Sequence, residues 1–199
     1  MKTIMMSLLV ALFLSPAVFA DDVADVKKNV TESVEFVLNT MKDDSIAKDE
    51  RNDRIIKRLS PLFDFRAFAD YCLQGYTKHS KKATSEQYAK YLELFEPHIS
   101  RYYLGKLDLV LKSLKDQEIK VTVKDPVRKG KKYIIAKANV LLDGENIKMD
   151  FWFVKRNDAY KAFNIVIGKT NLGKAKRADF VVSIKNLGFD KLLEWLKDN

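Results

Sequence analysis

Apolar positions recur at steps of three and four from Asp22 to Met41, where Val23, Val26, Val30, Val34, Val37 and Met41 fall on one side of a helix. The highly charged stretch Lys42 to Arg58 follows, with Ile46, Ile55 and Ile56 as its large aliphatics and Leu59 just beyond. It predicts a short second helix that Pro61 ends. Asp64 is placed to cap a third, short helix carrying Phe65, Phe68, Ala69 and Leu73, with Gly75 as its stop. Thr84-Ser85-Glu86-Gln87 has the form of a capping box and opens a long helix. The apolar side of that helix runs through Tyr88, Tyr91, Leu92, Phe95, Ile99, Tyr102, Tyr103, Leu107 and Val110, and Pro97 is expected to bend it.

After Lys115-Asp116 the period changes from helical to alternating. Ile119, Val121 and Val123 share one face of a first strand, and Asp125-Pro126 to Gly130 reads as a charged turn. Ile134, Ala136, Ala138, Val140 and Leu142 line one side of a second strand, closed by Asp143-Gly144. Ile147, Met149, Phe151 and Phe153 alternate with their neighbours in a third, and Asn157-Asp158 turns into a fourth, Tyr160 to Ile167. Short turns between neighbours predict an antiparallel meander. Two more helices close the chain, one from Gly173 to Asn186 and one opened by Asp190 and carrying Leu192, Leu193, Trp195 and Leu196. Helices, then a four-stranded sheet, then helices make an α+β domain in which helices cover one face of a curved sheet.

Residues 1–20 stand apart from this pattern. Lys2 precedes an apolar run from Ile4 to Leu14, Ser15-Pro16 breaks it, and Val18 and Ala20 occupy the small-residue positions before a cut. This is a secretory leader, with a run too short for the about 20 residues of a membrane span. Residues 21–199 then form one mature domain, and loss of Lys2 lowers the formal charge from +9 to +8. No cysteine follows the cut, so lipid attachment there is not expected. The leader predicts the periplasm. Export disfavours nucleic acid as the partner of this positive chain and leaves anionic membrane surfaces or acidic protein faces.

The chain is poor in catalytic equipment. It has one cysteine, Cys72, and two histidines, His79 and His98, and neither histidine lies in a nucleophile-elbow or triad motif. Cys72 reads as a small buried side chain, His79 as solvated, and His98 as a surface or partly buried structural residue. Asp143 and Glu145 flank a turn glycine, Asp64 already has a capping role, and Gly168 and Gly173 lack the spacing of a phosphate loop. A binding protein without metal or cofactor is expected, not an enzyme. Three basic runs, Lys78 to Lys82, Arg128 to Lys132 and Lys174 to Arg177, read as charged loops or helix starts. Lys81, Lys82, Lys131 and Lys132 are the surface-docking candidates. Apolar strand faces and the aromatic long helix fit an ordinary filled core as well as the walls of a cavity.

Two parts of the chain together resemble the toluene-tolerance or MlaC family of periplasmic phospholipid-binding proteins. The first is Leu59-Ser60-Pro61-Leu62-Phe63-Asp64-Phe65 with Gly75, Tyr76, Gln87, Phe95 and Tyr102-Tyr103. The second runs from Met149-Asp150-Phe151 through Lys161 to Leu172, then Arg177-Ala178-Asp179-Phe180 and Gly188-Phe189-Asp190-Lys191-Leu192-Leu193. Asn164 stands where the family usually has Asp, and Asn171 where Ser is common, which puts any polar role at a cavity mouth in question.

The resemblance implies a nuclear-transport-factor-like α+β fold enclosing acyl chains. It also implies a monomeric carrier that passes diacyl phospholipid between an outer-membrane lipoprotein or porin complex and an inner-membrane ABC transporter, maintaining outer-membrane lipid asymmetry. Under it the wall candidates are Tyr102, Tyr103 and Leu107 on the long helix and Val140, Phe151, Phe153, Ile165 and Ile167 on the strands. Hopanoid or another terpenoid cargo, an envelope-lipid hydrolase and a docking module with a solid core are the alternatives.

Overall fold

The computed structural model describes residues 17–76, 82–112, 119–142 and 144–198, and of these the side chains of all but 17–21, 104–112, 142 and 145. Helix α1 (Ala17–Lys42) begins before the expected start at Asp22 and runs through the predicted cut after Ala20. Its valine stripe is the buried side: Val26 and Val30 are buried, and Val23 and Val34 pack beside them. Helix α2 (Lys48–Leu59) buries Ile55, half-buries Arg51, Asn52, Ile56, Arg58 and Leu59, and exposes its remaining residues. Arg51 ties the two helices by donating from Nη1 to the Met41 carbonyl at 3.2 Å, one of the acceptors a helix end leaves unmet.

A 3-10 turn, Ser60–Leu62, leads into α3 (Phe65–Cys72), and Asp64 caps α3 by accepting from the Ala67 amide at 2.8 Å. The capping box at α4 (Ser85–Lys112) closes in both directions. Gln87 N–H donates to the Thr84 hydroxyl at 3.1 Å and Thr84 N–H to the Gln87 side chain at 3.0 Å. Helix α4 continues through Pro97 without a break.

Six strands follow: β1 (Ile119–Val123), β2 (Val127–Lys129), β3 (Tyr133–Leu142), β4 (Glu145–Arg156), β5 (Ala159–Ile167) and β6 (Thr170–Asn171). The order is β1-β3-β4-β5-β6, antiparallel throughout, with β2 also paired to β3. The four long strands are those that alternation predicts. The two short ones are additions, because three-residue and two-residue pieces are too brief to carry a period. One of them, β2, replaces part of the expected charged turn: Val127 pairs with Ile135 and Lys129 with Tyr133, so the reversal itself is confined to Gly130 (φ 64) and the two lysines after it. Phe163 is an extra residue in β5, since Trp152 pairs with Asn164 and Phe153 with Ala162.

Directly opposed residues share a face, which sorts the sheet. Ile134, Ala136, Phe151 and Phe153 face α1 and form a core with Val26 and Val30. On the other face, Phe163 meets Tyr71 of α3, and α5 (Leu172–Leu187) is fastened to β5. Helices α3, α4, α5 and α6 (Phe189–Asp198) bury a separate, aromatic core through Phe68, Tyr91, Phe95, Phe180, Leu192 and Leu196. The protein is therefore an α+β structure with one helix across one sheet face and a helical cluster at the other.

Candidate functional site

The first sheet face collects all five strand candidates. Phe151 lies opposite Ala136 and Ile165, Phe153 opposite Ile134, Val140 opposite Val121, and Ile167 opposite Met149, itself opposite Ala138. Their burial is graded along the face. Phe153 is 4% exposed beneath the valines of α1, Phe151, Ile165 and Val140 are half-buried, and Ile167 is 39% exposed.

Where the face loosens, a hollow of about 150 Å³ lies between the last turns of α1 and strand β1. Leu38, Ile119 and Val121 give it apolar sides, and Glu35, Asn39 and Lys42 give it a polar rim. Pockets that bury a small organic ligand run to roughly 300–1,000 Å³. The hollow is thus the open margin of an apolar face that α1 otherwise fills.

Helix α1 is held over this face by charge as well as by valine packing. Asp22 accepts from Arg128 Nη2 at 3.1 Å and lies 3.5 Å from Lys155 Nζ, and Arg128 also donates to the Tyr160 hydroxyl at 3.0 Å. Farther along, Lys27 donates to Asp125 at 2.7 Å. Sequence reading identified the amphipathic helix but not these contacts or the role of Val26 and Val30 as the cover. The valine spacing was the available signal. Which sheet face it covers depends on topology.

The helical candidates sit elsewhere. Tyr103 packs against the aromatic core, where burial pushes its hydroxyl well above the usual tyrosine range. Tyr102 stacks near His98, with ring centroids 6.0 Å apart, and carries the Lys176 ammonium 3.5 Å from its ring centre. Their described contacts are thus with the helical cluster and not with the five strand candidates. The side chain of Leu107 lies outside the described residues, as does Lys81. Lys82 is exposed, its ammonium 5.0 Å from the Tyr76 ring, and Lys131 and Lys132 are exposed in the β2–β3 turn.

Several residues read as surface features are structural. His98 is fully buried between Tyr102 and Trp195, which corrects the expectation of a surface or partly buried position. Its helical position shows an apolar stripe but not that α6 closes over it. Lys176 and Arg177 stand in the first turns of α5, where the expected helix from Gly173 places them, and neither is a freely solvated charge. Lys176 is 3% exposed, and Arg177 donates through Nε and Nη2 to the Tyr71 carbonyl at 3.1 and 2.8 Å. Asn171 caps α5 by accepting from Lys174 N–H at 2.9 Å, the task a serine would perform. Asn164 is fully buried and accepts from Gly173 N–H at 3.0 Å, so its role is to fasten α5 to β5. His79 lies outside the described residues.

Cys72 is buried, and desolvation pushes its thiol up to about 12, the reverse of what a nucleophile needs. Among the described residues no group of three or more His, Cys, Asp or Glu side chains is placed to hold a metal, and no helix is long and apolar enough to cross a membrane.

Comparison with known proteins meets this geometry at two points. A structure described as the phospholipid-binding protein from Ralstonia solanacearum, in complex with a phospholipid, shares the fold with a TM-score of 0.68 at 20% identity. The match covers 86% of this chain and 94% of that one. No curated protein matches the chain. The family model for the MlaC protein matches residues 29–198, from the middle of α1 to the end of α6. A match that takes in both sheet faces and every helix packed on them places the chain in the MlaC family.

Proposed function

We propose that this protein is a periplasmic phospholipid carrier that sheathes acyl chains against the first sheet face and moves lipid between membrane-bound complexes. The observation that carries the reading is the continuous apolar face of Val140, Phe151, Phe153, Ile165 and Ile167, tight at one end and open at the hollow beside β1. Family membership and the phospholipid in the Ralstonia protein support the class of cargo.

The physical need is plain. Each methylene exposed to water costs about 0.8 kcal/mol, so two membrane-length chains cost on the order of 20 kcal/mol unless covered. An apolar protein face replaces one dry environment by another and needs no covalent chemistry. The chains enter at the hollow and spread along the face as α1 yields, with the headgroup left at the polar rim of Glu35, Asn39 and Lys42. Cleavage after Ala20 releases the mature domain. Docking to an inner-membrane ABC transporter and an outer-membrane complex would let a monomer maintain lipid asymmetry, with Lys81, Lys82, Lys131 and Lys132 guiding encounters. A binding role in place of an enzymatic one agrees with the buried, unreactive Cys72.

Native mass spectrometry of the purified mature protein, with mass spectrometry of its organic extract, tests the reading. Mass shifts of intact diacyl phospholipid are expected. A terpenoid in the extract would move the cargo to that class, and a protein that stays empty after incubation with phospholipid vesicles would refute the carrier role.

A further inference from the structure

The second sheet face ends in an exposed cationic and aromatic hairpin, of which the carrier reading above uses only Lys131 and Lys132. Register places Val127, Lys129, Tyr133, Trp152 and Val154 together on this face. Val127 is 60% exposed and Tyr133 39% exposed. Lys129 holds its ammonium 5.6 Å from the Trp152 ring centre, and Tyr133 lies 5.5 Å from Phe163, so the patch is a built surface and not a loose tip. Lys131 and Lys132 extend from the turn that joins β2 to β3.

The charges divide by role. Arg128, in the middle of β2, is turned to the opposite face and committed to Asp22 and Tyr160. Among the described residues none of Lys129, Lys131 and Lys132 has a carboxylate partner, and all three are exposed. Asp158, in the neighbouring β4–β5 turn, is an acidic residue near the same end of the sheet.

We infer that this hairpin seats the protein on an anionic bilayer surface, with Val127 and Tyr133 at headgroup level and the three lysines on lipid phosphates. The proposal rests on the carrier reading and adds to it the surface that meets the membrane. The composition suits a bilayer. Aromatic rings with one polar edge settle at the membrane–water interface, and lysines lay apolar stems along it while their ammonium groups reach phosphate. Each lysine near an anionic surface strengthens binding about fivefold, so three together supply on the order of a hundredfold. This attraction is screened by salt over about 8 Å under physiological conditions.

The test is co-sedimentation of the mature protein with vesicles of phosphatidylcholine alone and of phosphatidylcholine mixed with phosphatidylglycerol. Binding is expected to the mixed vesicles and to weaken as salt rises. The triple variant K129Q/K131Q/K132Q should lose on the order of a hundredfold in affinity, and V127S/Y133S should also bind less without changing the net charge. A control of equal charge change on α5 and α6, K174Q/K185Q/K197Q, should bind nearly as the parent does. In a W195F background, Trp152 fluorescence should be quenched by brominated lipid. Equal loss in the control, no loss in the hairpin variants, or hairpin-dependent capture by an acidic protein without any vesicle binding would each overturn the proposal. Lipid occupancy, read separately by native mass spectrometry, should be unchanged in the hairpin variants. An empty parent protein would defeat the carrier reading whatever the vesicles show.

Discussion

Replacing Gly173 by alanine puts one methyl group into the junction of β5, α3 and α5, and the structure lets its cost be worked out. A Cβ there would stand 2.4 Å from Tyr71 Cδ1, 2.6 Å from Cε1 and 2.9 Å from Asn164 Oδ1. Ordinary carbon contacts begin about 1 Å farther out. The Tyr71 ring cannot retreat easily, because Arg177 lies 4.6 Å over it and holds its carbonyl with two hydrogen bonds, while Phe163 meets its edge 6.1 Å away.

Overpacking of this kind costs about 1–3 kcal/mol, and straining the Gly173 to Asn164 hydrogen bond adds about 1 kcal/mol. Alanine is the better helix former by about 0.5–1 kcal/mol, so the clash wins and the net loss is about 2 kcal/mol. For a domain of this size that lowers Tm by about 4–8 °C, measurable by circular dichroism. Lipid occupancy at room temperature should stay at the parent level, since the junction lies on the face opposite the proposed acyl-chain wall. A Tm equal to or above the parent's would refute the reasoning, because helix propensity would then have outweighed the contact. A stable but empty variant would mean that the junction belongs to the lipid site.

Four further outcomes are expected. V140D and F151D should impair lipid loading by placing a charge on the proposed wall, and variants that fold by circular dichroism yet load normally would remove those residues from it. D22N takes away the anion between Arg128 and Lys155, partly exposed pairs that contribute up to about 1 kcal/mol. Release of α1 should then speed lipid exchange with vesicles by about fivefold, and an unchanged exchange rate would exclude the latch. Cys72 and Tyr88 are both pushed up to about 12, chiefly by desolvation. The folded state therefore keeps protons that the unfolded state releases, so the stability they contribute is complete below about pH 9 and is lost as pH rises toward 12. Alkaline titration followed by circular dichroism should show this loss, and C72A should make it shallower. The Cys72 thiol should resist iodoacetamide until the protein is denatured.

Local patterns determined the parts of this protein that depend on neighbours in sequence. Thr84 and Gln87 cap each other within one turn, Asp64 caps α3, and the valine stripe and the four alternating runs became α1 and the long strands, because helix and strand periods are properties of the backbone. The order of predicted elements was also enough for the α+β class, and the resemblance carried by the motifs from Leu59 to Phe65 and from Gly188 to Leu193 pointed to the family. Alternation likewise put Val140 on one side of its strand and Phe151 with Phe153 on one side of theirs, and register joined them to Ile165 and Ile167 on one sheet face.

Tertiary structure decided what each face meets. Which side of the sheet lies under α1 is set by chain crossing and not by period, so the valines that cover the strand candidates were visible as a stripe but not as a cover. The same holds for burial of polar residues. His98, read as a surface or partly buried residue, and Lys176, read within a basic run, are enclosed because α6 brings Trp195 against both and Tyr102 of α4 lies beside them. Asn164 and Asn171, read as departures from a family pattern, are fastenings for α5, since an amide oxygen can accept a backbone N–H as a carboxylate or hydroxyl does. Short β2 escaped notice because three residues hold no period of their own, and its pairing with β3 is what assembles the lysine and aromatic patch on the outer face.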